Sequence, residues 1–232
     1  MNRTELKATA KTQITGKIGI LFLCGFLIAI ISGAPATVLS FAVPGTPLDP
    51  LNPDYLAFAL STGWRSLAQA ALGIIIGASF TISTVLIYIG LADDKYPQVA
   101  DIFKGFAIFG KAVALNIMTT VLSFLWGLLF VVPGIIKSIS YSMAPYILAE
   151  NQDMNPRQAI EESKRVTQGH KGELFVLSLS FIGWYLLALP TLGLIMIYVS
   201  PYINATRANA YLKLKELAGQ NETMAAAEAV SL

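Results

Sequence analysis

The side chains best placed to do chemistry lie in the second half of the chain. Lys137, Ser138, Tyr141 and Ser142 recur at helical spacing and put a polar stripe on an otherwise apolar segment, with Tyr146 one turn further on, beyond Pro145. Tyr198, Tyr202 and Asn204 form a second polar set around Pro201. An ammonium, hydroxyls, phenols and an amide can line a cavity and orient a ligand. The same groups can equally bind helix to helix with no ligand present, and Asn116, Thr119, Thr120 and Ser123 are the partners the sequence offers. Pro133, Pro145, Pro190 and Pro201 mark hinges or breaks in apolar helices. Paired, interrupted helices are a pointer to substrate sites in transporters, because their freed backbone groups can face a cavity.

Groups for catalysis are scarcer. Glu161 and Glu162 are adjacent on a polar segment, with His170 and Glu173 further along. Neighbouring carboxylates on a solvated helix point in different directions, which makes a poor acid–base pair. The sequence has a single His and a single Cys, too few for an ordinary zinc site. It has no Gly-rich phosphate loop, no His-Glu metal helix and no nucleophile elbow. No catalytic residue, cofactor or metal ligand is therefore expected. Cys24 reads as a small buried apolar residue, and a net charge of +2 gives no reason to expect a nucleic-acid partner. Asn204-Ala-Thr206 fits a glycosylation acceptor but falls at the end of the chain assigned below to the cytoplasm.

The elements that must hold these residues are set by charge placement. Charged residues are 13% of the chain, about half the ~25% of an ordinary soluble domain. None occurs in 18–48, 66–92, 112–136 or 174–206. A charge-free apolar run of about 18 residues or more reads as a transmembrane helix. Splitting these runs at Pro133-Gly134 and at Pro190 predicts an all-α, polytopic membrane helix bundle of about six transmembrane helices in three hairpins. Helices are expected over 18–41, 67–91, 112–132, 135–149, 174–189 and from Gly193 onward. The first apolar run exceeds the ~7–15 residues of a signal-peptide core, so it is expected to stay as a helix. A Pro- and Asp-rich loop is expected at 44–54. The step Gly73-x-x-x-Gly77 predicts close approach of another helix, within the chain or from a second copy.

Between the spans lie amphipathic pieces. Residues 1–17 carry Asn2 and Glu5 at capping-box spacing and Leu6, Ala10 and Ile14 along one face, which predicts a helix at the membrane surface. Residues 96–111 put Val99, Phe103, Phe106 and Gly110 on one face of a second such helix. Asn155, Pro156 and Gln158 supply an N-cap, a first-turn proline and a capping box for a helix over 156–168, ended by Gly169, with Ala159, Ile160 and Ser163 toward the membrane. Residues 18–217 make the transmembrane domain, and 218–232 a flexible tail. Lys and Arg concentrate at Arg3, Lys7, Lys11, Lys17, in the 93–111 and 150–173 connections and at Arg207, Lys213 and Lys215, against Arg65 and Lys137 opposite. The positive-inside rule then places both termini and both basic connections in the cytoplasm.

From Pro133-Gly134-Ile135-Ile136-Lys137 through Tyr146-Ile147-Leu148-Ala149, Ser163-Lys164-Arg165, Gly169-His170-Lys171 and Gly183-Trp184 to Pro201-Tyr202-Ile203-Asn204-Ala205-Thr206, the chain resembles the bacterial integral membrane proteins grouped as domain of unknown function 975. The likeness is densest over 126–217 and implies a bacterial cytoplasmic membrane protein without supplying an activity. A fainter likeness of 159–175 to the membrane domain accompanying some glycerophosphodiester phosphodiesterases implies a lipid-related setting. The reading that follows is a non-enzymatic membrane protein with an accessory or membrane-homeostasis role, including protection against membrane-active peptides. The alternative is a transporter of lipid or small molecules using the Pro-interrupted fourth and sixth helices. Expected partners are membrane lipids, a second copy or another membrane protein.

Overall fold

The computed structural model describes residues 2–41, 55–188, 190–191 and 193–230 of the chain, and among them there is no strand. The expected 44–54 loop lies outside the described residues. Ten α-helices and one 3₁₀ segment follow one another among those described.

Helix α1 (Arg3–Ile14) is capped by Asn2, whose side-chain oxygen accepts from the Thr4 N–H at 3.1 Å. Its stripe Leu6, Ala10 and Ile14 is buried, packed with α10 (Met196–Val230) rather than facing the membrane as expected. Small residues on α10, Ala205 and Ala208, are fully buried there. Asn209 Nδ2 donates to Gln13 Oε1 at 2.8 Å across the joint. An apolar stripe takes whichever apolar surface is nearest, and here the chain supplies its own.

Helix α2 (Ile18–Phe41) has the expected bounds, and α3 (Tyr55–Ala92) starts well before the expected residue 67. α3 is the hub of the bundle, meeting α2, α4, α6 and α10. It also receives the 3₁₀ segment Val99–Ile108, where the sequence pattern predicts an α-helix. The tighter winding of about three residues per turn brings Ile102 and Gly105 to one face. These two are buried, while Phe103 and Phe106, which the sequence puts on the apolar face of an interfacial helix, are exposed. Gly105 is required by contact: a Cβ there would sit 2.1 Å from the Ser79 carbonyl oxygen, and its N–H donates to Ser83 Oγ at 2.9 Å. At Gly73 and Gly77 a Cβ would meet nothing within 4 Å, so among the described residues the expected close approach is not made there.

Helix α4 (Phe109–Leu129) ends at Phe130, whose backbone is extended, and α5 (Val131–Tyr141) returns at once. The turn is therefore not at Pro133-Gly134, which lie inside the first turn of α5, where a proline costs no hydrogen bond. Gly134 has a different job: its Cβ would be 2.7 Å from Gly127 Cα, so glycine at both positions lets the two helices touch backbone to backbone. The expected fourth helix is two pieces, α5 and α6 (Ala144–Glu150), with the break at Ser142-Met143. α7 (Pro156–Val166) has the predicted cap and box, Asn155 N–H donating to Gln158 Oε1 at 2.9 Å. Gly169 adopts φ +82 just beyond its end. Ala159, Ile160 and Ser163 are buried against protein, chiefly α6 and α4, rather than turned to the membrane.

The fifth helix is likewise broken, into α8 (Lys171–Leu179) and α9 (Ile182–Ala188). α10 is continuous through Pro201, so the two C-terminal return helices are not alike: only the first is interrupted. The chain beyond 218, expected as a flexible tail, continues α10 to Val230.

By length and composition three helical stretches can cross a membrane: Thr62–Ala92, Val99–Leu129 and Lys171–Ala188. A fourth arises if Arg3–Ile14 and Ile18–Ser32, bent by 92°, act as one. α5 and α6, at 11 and 7 residues, are each too short alone. Among the described residues the count by length is thus three candidate spans, or four with the bent pair, against six expected.

Candidate functional site

The break between α5 and α6 is the local feature around which the site forms. Interrupting a helix frees backbone groups that must find other partners when buried. Ser163 of α7, fully buried, provides them: its Oγ donates to the Ser140 carbonyl at 2.7 Å and accepts from the Met143 N–H at 3.2 Å. Thr167 Oγ1 in turn donates to the Ser163 carbonyl at 2.7 Å, tying the end of α7 to the same point. Pro145, at the second position of α6, removes an N–H that would have no helical acceptor.

The break opens on a cavity of about 620 Å³ between α2, α3, α5, α6, α8 and α10. That is within the ~300–1,000 Å³ of ordinary ligand pockets. Its lining combines apolar side chains, Phe80, Val85, Leu174, Leu177 and Phe181 among them, with polar ones. Of the eight polar residues predicted to line a cavity, Ser138, Ser142, Tyr146 and Asn204 do so, together with Pro145. The other four are engaged elsewhere. Lys137 Nζ lies 4.7 Å from the ring centre of Trp126, a cation–π contact within the α4–α5 hairpin. Tyr141 is buried with Lys164 Nζ 5.7 Å over its ring. Tyr198 and Tyr202 stack on each other at 6.3 Å, and Tyr202 meets Phe181 edge-on at 5.7 Å. Lys137 and Tyr141 share one i,i+4 row and Ser138 and Ser142 the next, so the stripe divides between two sets of neighbours.

Of the four prolines, Pro145 lines this cavity and Pro201 a second one of about 410 Å³ between α2, α3 and α10. Pro133 lies in α5 and Pro190 in the turn after α9. The two cavities share Ile28, Thr84, Tyr88 and Asn204 as a common wall, in which Asn204 hydrogen-bonds to the Tyr88 hydroxyl. Cys24, buried and free, borders the second cavity, its thiol 3.9 Å from the Gln98 carbonyl.

Sequence reasoning missed three contributors. Thr84 and Tyr88 of α3 were overlooked because α3 read as uniformly apolar. Arg207 was assigned to the cytoplasmic tail, yet it lines the larger cavity one turn after Asn204. The spacing Asn204-x-x-Arg207, which puts both on one helix face, was the available signal.

The carboxylates do not converge. Glu162 is held below the usual carboxylate range by hydrogen bonds from Arg165, one at 2.8 Å, which outweigh the opposing effect of burial. His170 Nδ1 is 3.0 Å from Glu173 Oε2, at the start of α8. Glu150 accepts from Tyr211 at 2.8 Å and from Lys215, joining α6 to α10. Among the described residues there is no cluster of three or more His, Cys, Asp or Glu that could hold a metal.

No curated protein and no solved structure matches the chain. One family does: residues 128–218, which carry α5 to α9, most of α10 and the Ser138, Ser142, Tyr146, Asn204 and Arg207 of the larger cavity, match the family described as Protein of unknown function (DUF975), the family that the sequence resembles.

Proposed function

We propose that this chain is a non-enzymatic, multi-pass protein of the bacterial cytoplasmic membrane that holds an amphipathic lipid or small molecule in the cavity beside the α5–α6 break. The carrying observation is the cavity itself, whose lining joins apolar side chains to the polar Ser138, Ser142, Tyr146, Asn204 and Arg207. Six passes follow if α5 with α6 and α8 with α9 each count as one broken pass, joined by α2, α3, α4 and the first half of α10. Both termini and the basic connections then lie on the cytoplasmic side. The surface supports a lipid setting: Phe124, Leu125 and Leu128 to Val132 are all more than half exposed, with Leu128 at 75%. Such an apolar patch is untenable in water.

The second reading is an accessory role in membrane homeostasis, including protection against membrane-active peptides. It is favoured by that same apolar α4–α5 hairpin, which offers a membrane-protein partner or a second copy a broad surface. Native mass spectrometry of the chain extracted with its surrounding lipids separates the two. A stoichiometric lipid or small molecule, retained by wild type and lost in Thr84→Trp, is the expected result. A bare wild-type chain in generic lipid would remove the cavity reading, and a co-extracted protein would put the accessory role in its place.

A further inference from the structure

Arg207 is the one charged side chain among the described residues lining either cavity. Neither wall contains a described carboxylate. Some cations elsewhere are ion-paired within the chain, Lys104 to Asp101, Arg165 to Glu162, Lys213 to Glu216 and Lys215 to Glu150, whereas others, such as Arg157 and Lys164, have no ion pair among the described residues. The Arg207 guanidinium has neither an ion pair nor a hydrogen bond among the described residues. Asn204, one turn before it, and Ser142 and Tyr146, across the cavity, present an amide and two hydroxyl groups to the same space. The same cavity is also lined by the aromatic and aliphatic surface of Phe80, Leu177 and Phe181. A planar cation beside neutral hydrogen-bonding groups suits a phosphate, which guanidinium groups bind through paired, charge-assisted hydrogen bonds. The apolar part of the lining suits an acyl chain.

We infer that the cavity takes an anionic phospholipid, with its phosphate on Arg207 and an acyl chain along the Phe80–Leu177–Phe181 wall. This rests on the reading of the cavity as an amphiphile site and adds the ligand's charge. Because Arg207 lies well along α10 from the α9–α10 turn, the headgroup would come from the cytoplasmic leaflet in the six-pass arrangement. Phosphatidylcholine and phosphatidylethanolamine carry the same phosphate, but their added cation would sit beside Arg207 with no carboxylate partner in the described wall.

The test uses the full chain exchanged into vesicles or nanodiscs of phosphatidylglycerol or phosphatidylcholine with identical acyl chains, read by native mass spectrometry. Wild type is expected to retain phosphatidylglycerol about tenfold better, because both lipids offer Arg207 a phosphate but only phosphatidylcholine adds a second cation beside it. Arg207→Gln should erase the preference and Arg207→Lys should keep most of it. Equal retention of both lipids, unchanged in Arg207→Gln but lost in Thr84→Trp, overturns the anionic inference and leaves the amphiphile site standing. Retention of neither lipid by wild type overturns both. Displacement of phosphatidylglycerol by millimolar glycerol phosphate or inorganic phosphate, at an affinity independent of acyl length, would identify a soluble phosphate compound as the ligand and overturn the lipid assignment. A folded Arg207→Gln variant is verified by unchanged helical circular dichroism and gel-filtration elution.

Discussion

Ser163 carries more of this structure than its size suggests. One hydroxyl satisfies a carbonyl on the last turn of α5 and an N–H at the start of α6, and it does so from a third helix. A buried backbone group left without a partner costs about 1–3 kcal/mol, and Ser163→Ala strands two of them. The expected outcome is a loss of about 1–3 kcal/mol in stability, seen as a lower unfolding temperature in detergent. Weakened retention of any cavity ligand should accompany it, because Ser142 and Met143 line the cavity. An unchanged unfolding temperature would mean that the break is held by its own turns. The sequence made Ser163 visible only as one of three small or apolar residues on the inner face of α7. Its role depends on a partner twenty residues earlier, and periodicity does not report such partners. Lys137 shows the converse. Its polar type and its spacing from Ser138 and Tyr141 suggested a cavity, but Trp126 offered a nearer face for its ammonium.

At the scale of elements, the prediction fared best where a local rule decides and worst where helices meet. The cap, the first-turn proline and the box of α7 are local, and all three stand where the spacing puts them. The bounds of α2 follow from its charge-free run. The 3₁₀ winding of Val99–Ile108 eclipses Ile102 and Gly105, and Gly105 sits directly against Ser79 and Ser83 of α3, a contact between distant segments that local spacing does not report. Pro133-Gly134 read as a turn because that is what the pair does most often. In the structure the glycine serves a backbone contact with Gly127. Gly134→Ala therefore forces α4 and α5 apart, and overpacking of this kind costs about 1–3 kcal/mol. Trp126, held under Lys137 in the same hairpin, reports the change: its fluorescence should shift in Gly134→Ala. Gly73→Ala is the control, since its Cβ enters open space and the substitution favours the helix by about 0.5–1 kcal/mol. Equal behaviour of the two variants would show that the α4–α5 contact is loose enough to absorb a methyl group.

For the molecule as a whole, charge distribution and helix length constrain different things. Charge distribution bears on which side each connection occupies, and length on how many passes a stretch of chain can make. The two give six and three or four respectively, because the α5–α6 pass is split into pieces too short to count and the α10 pass is the start of a helix that continues far beyond its apolar part. Among the described residues α2 counts only together with α1. A broken pass is tolerable only if its freed backbone groups are satisfied inside the protein, which Ser163 achieves at α5–α6. Six passes with cytoplasmic termini put the α4–α5 turn and the α9–α10 turn on the same, outer side. In a Cys24→Ala background, single cysteines at Val131 and Leu194, both exposed, should react with a membrane-impermeant maleimide on intact cells. Cysteines at Lys95 and Gln168 should react only after permeabilisation. The reverse pattern would invert the protein while keeping its three hairpins. Reaction at Val131 and Leu194 from opposite sides would instead mean that one of the broken helices re-enters without crossing, and the length-based count would then replace the six-pass arrangement.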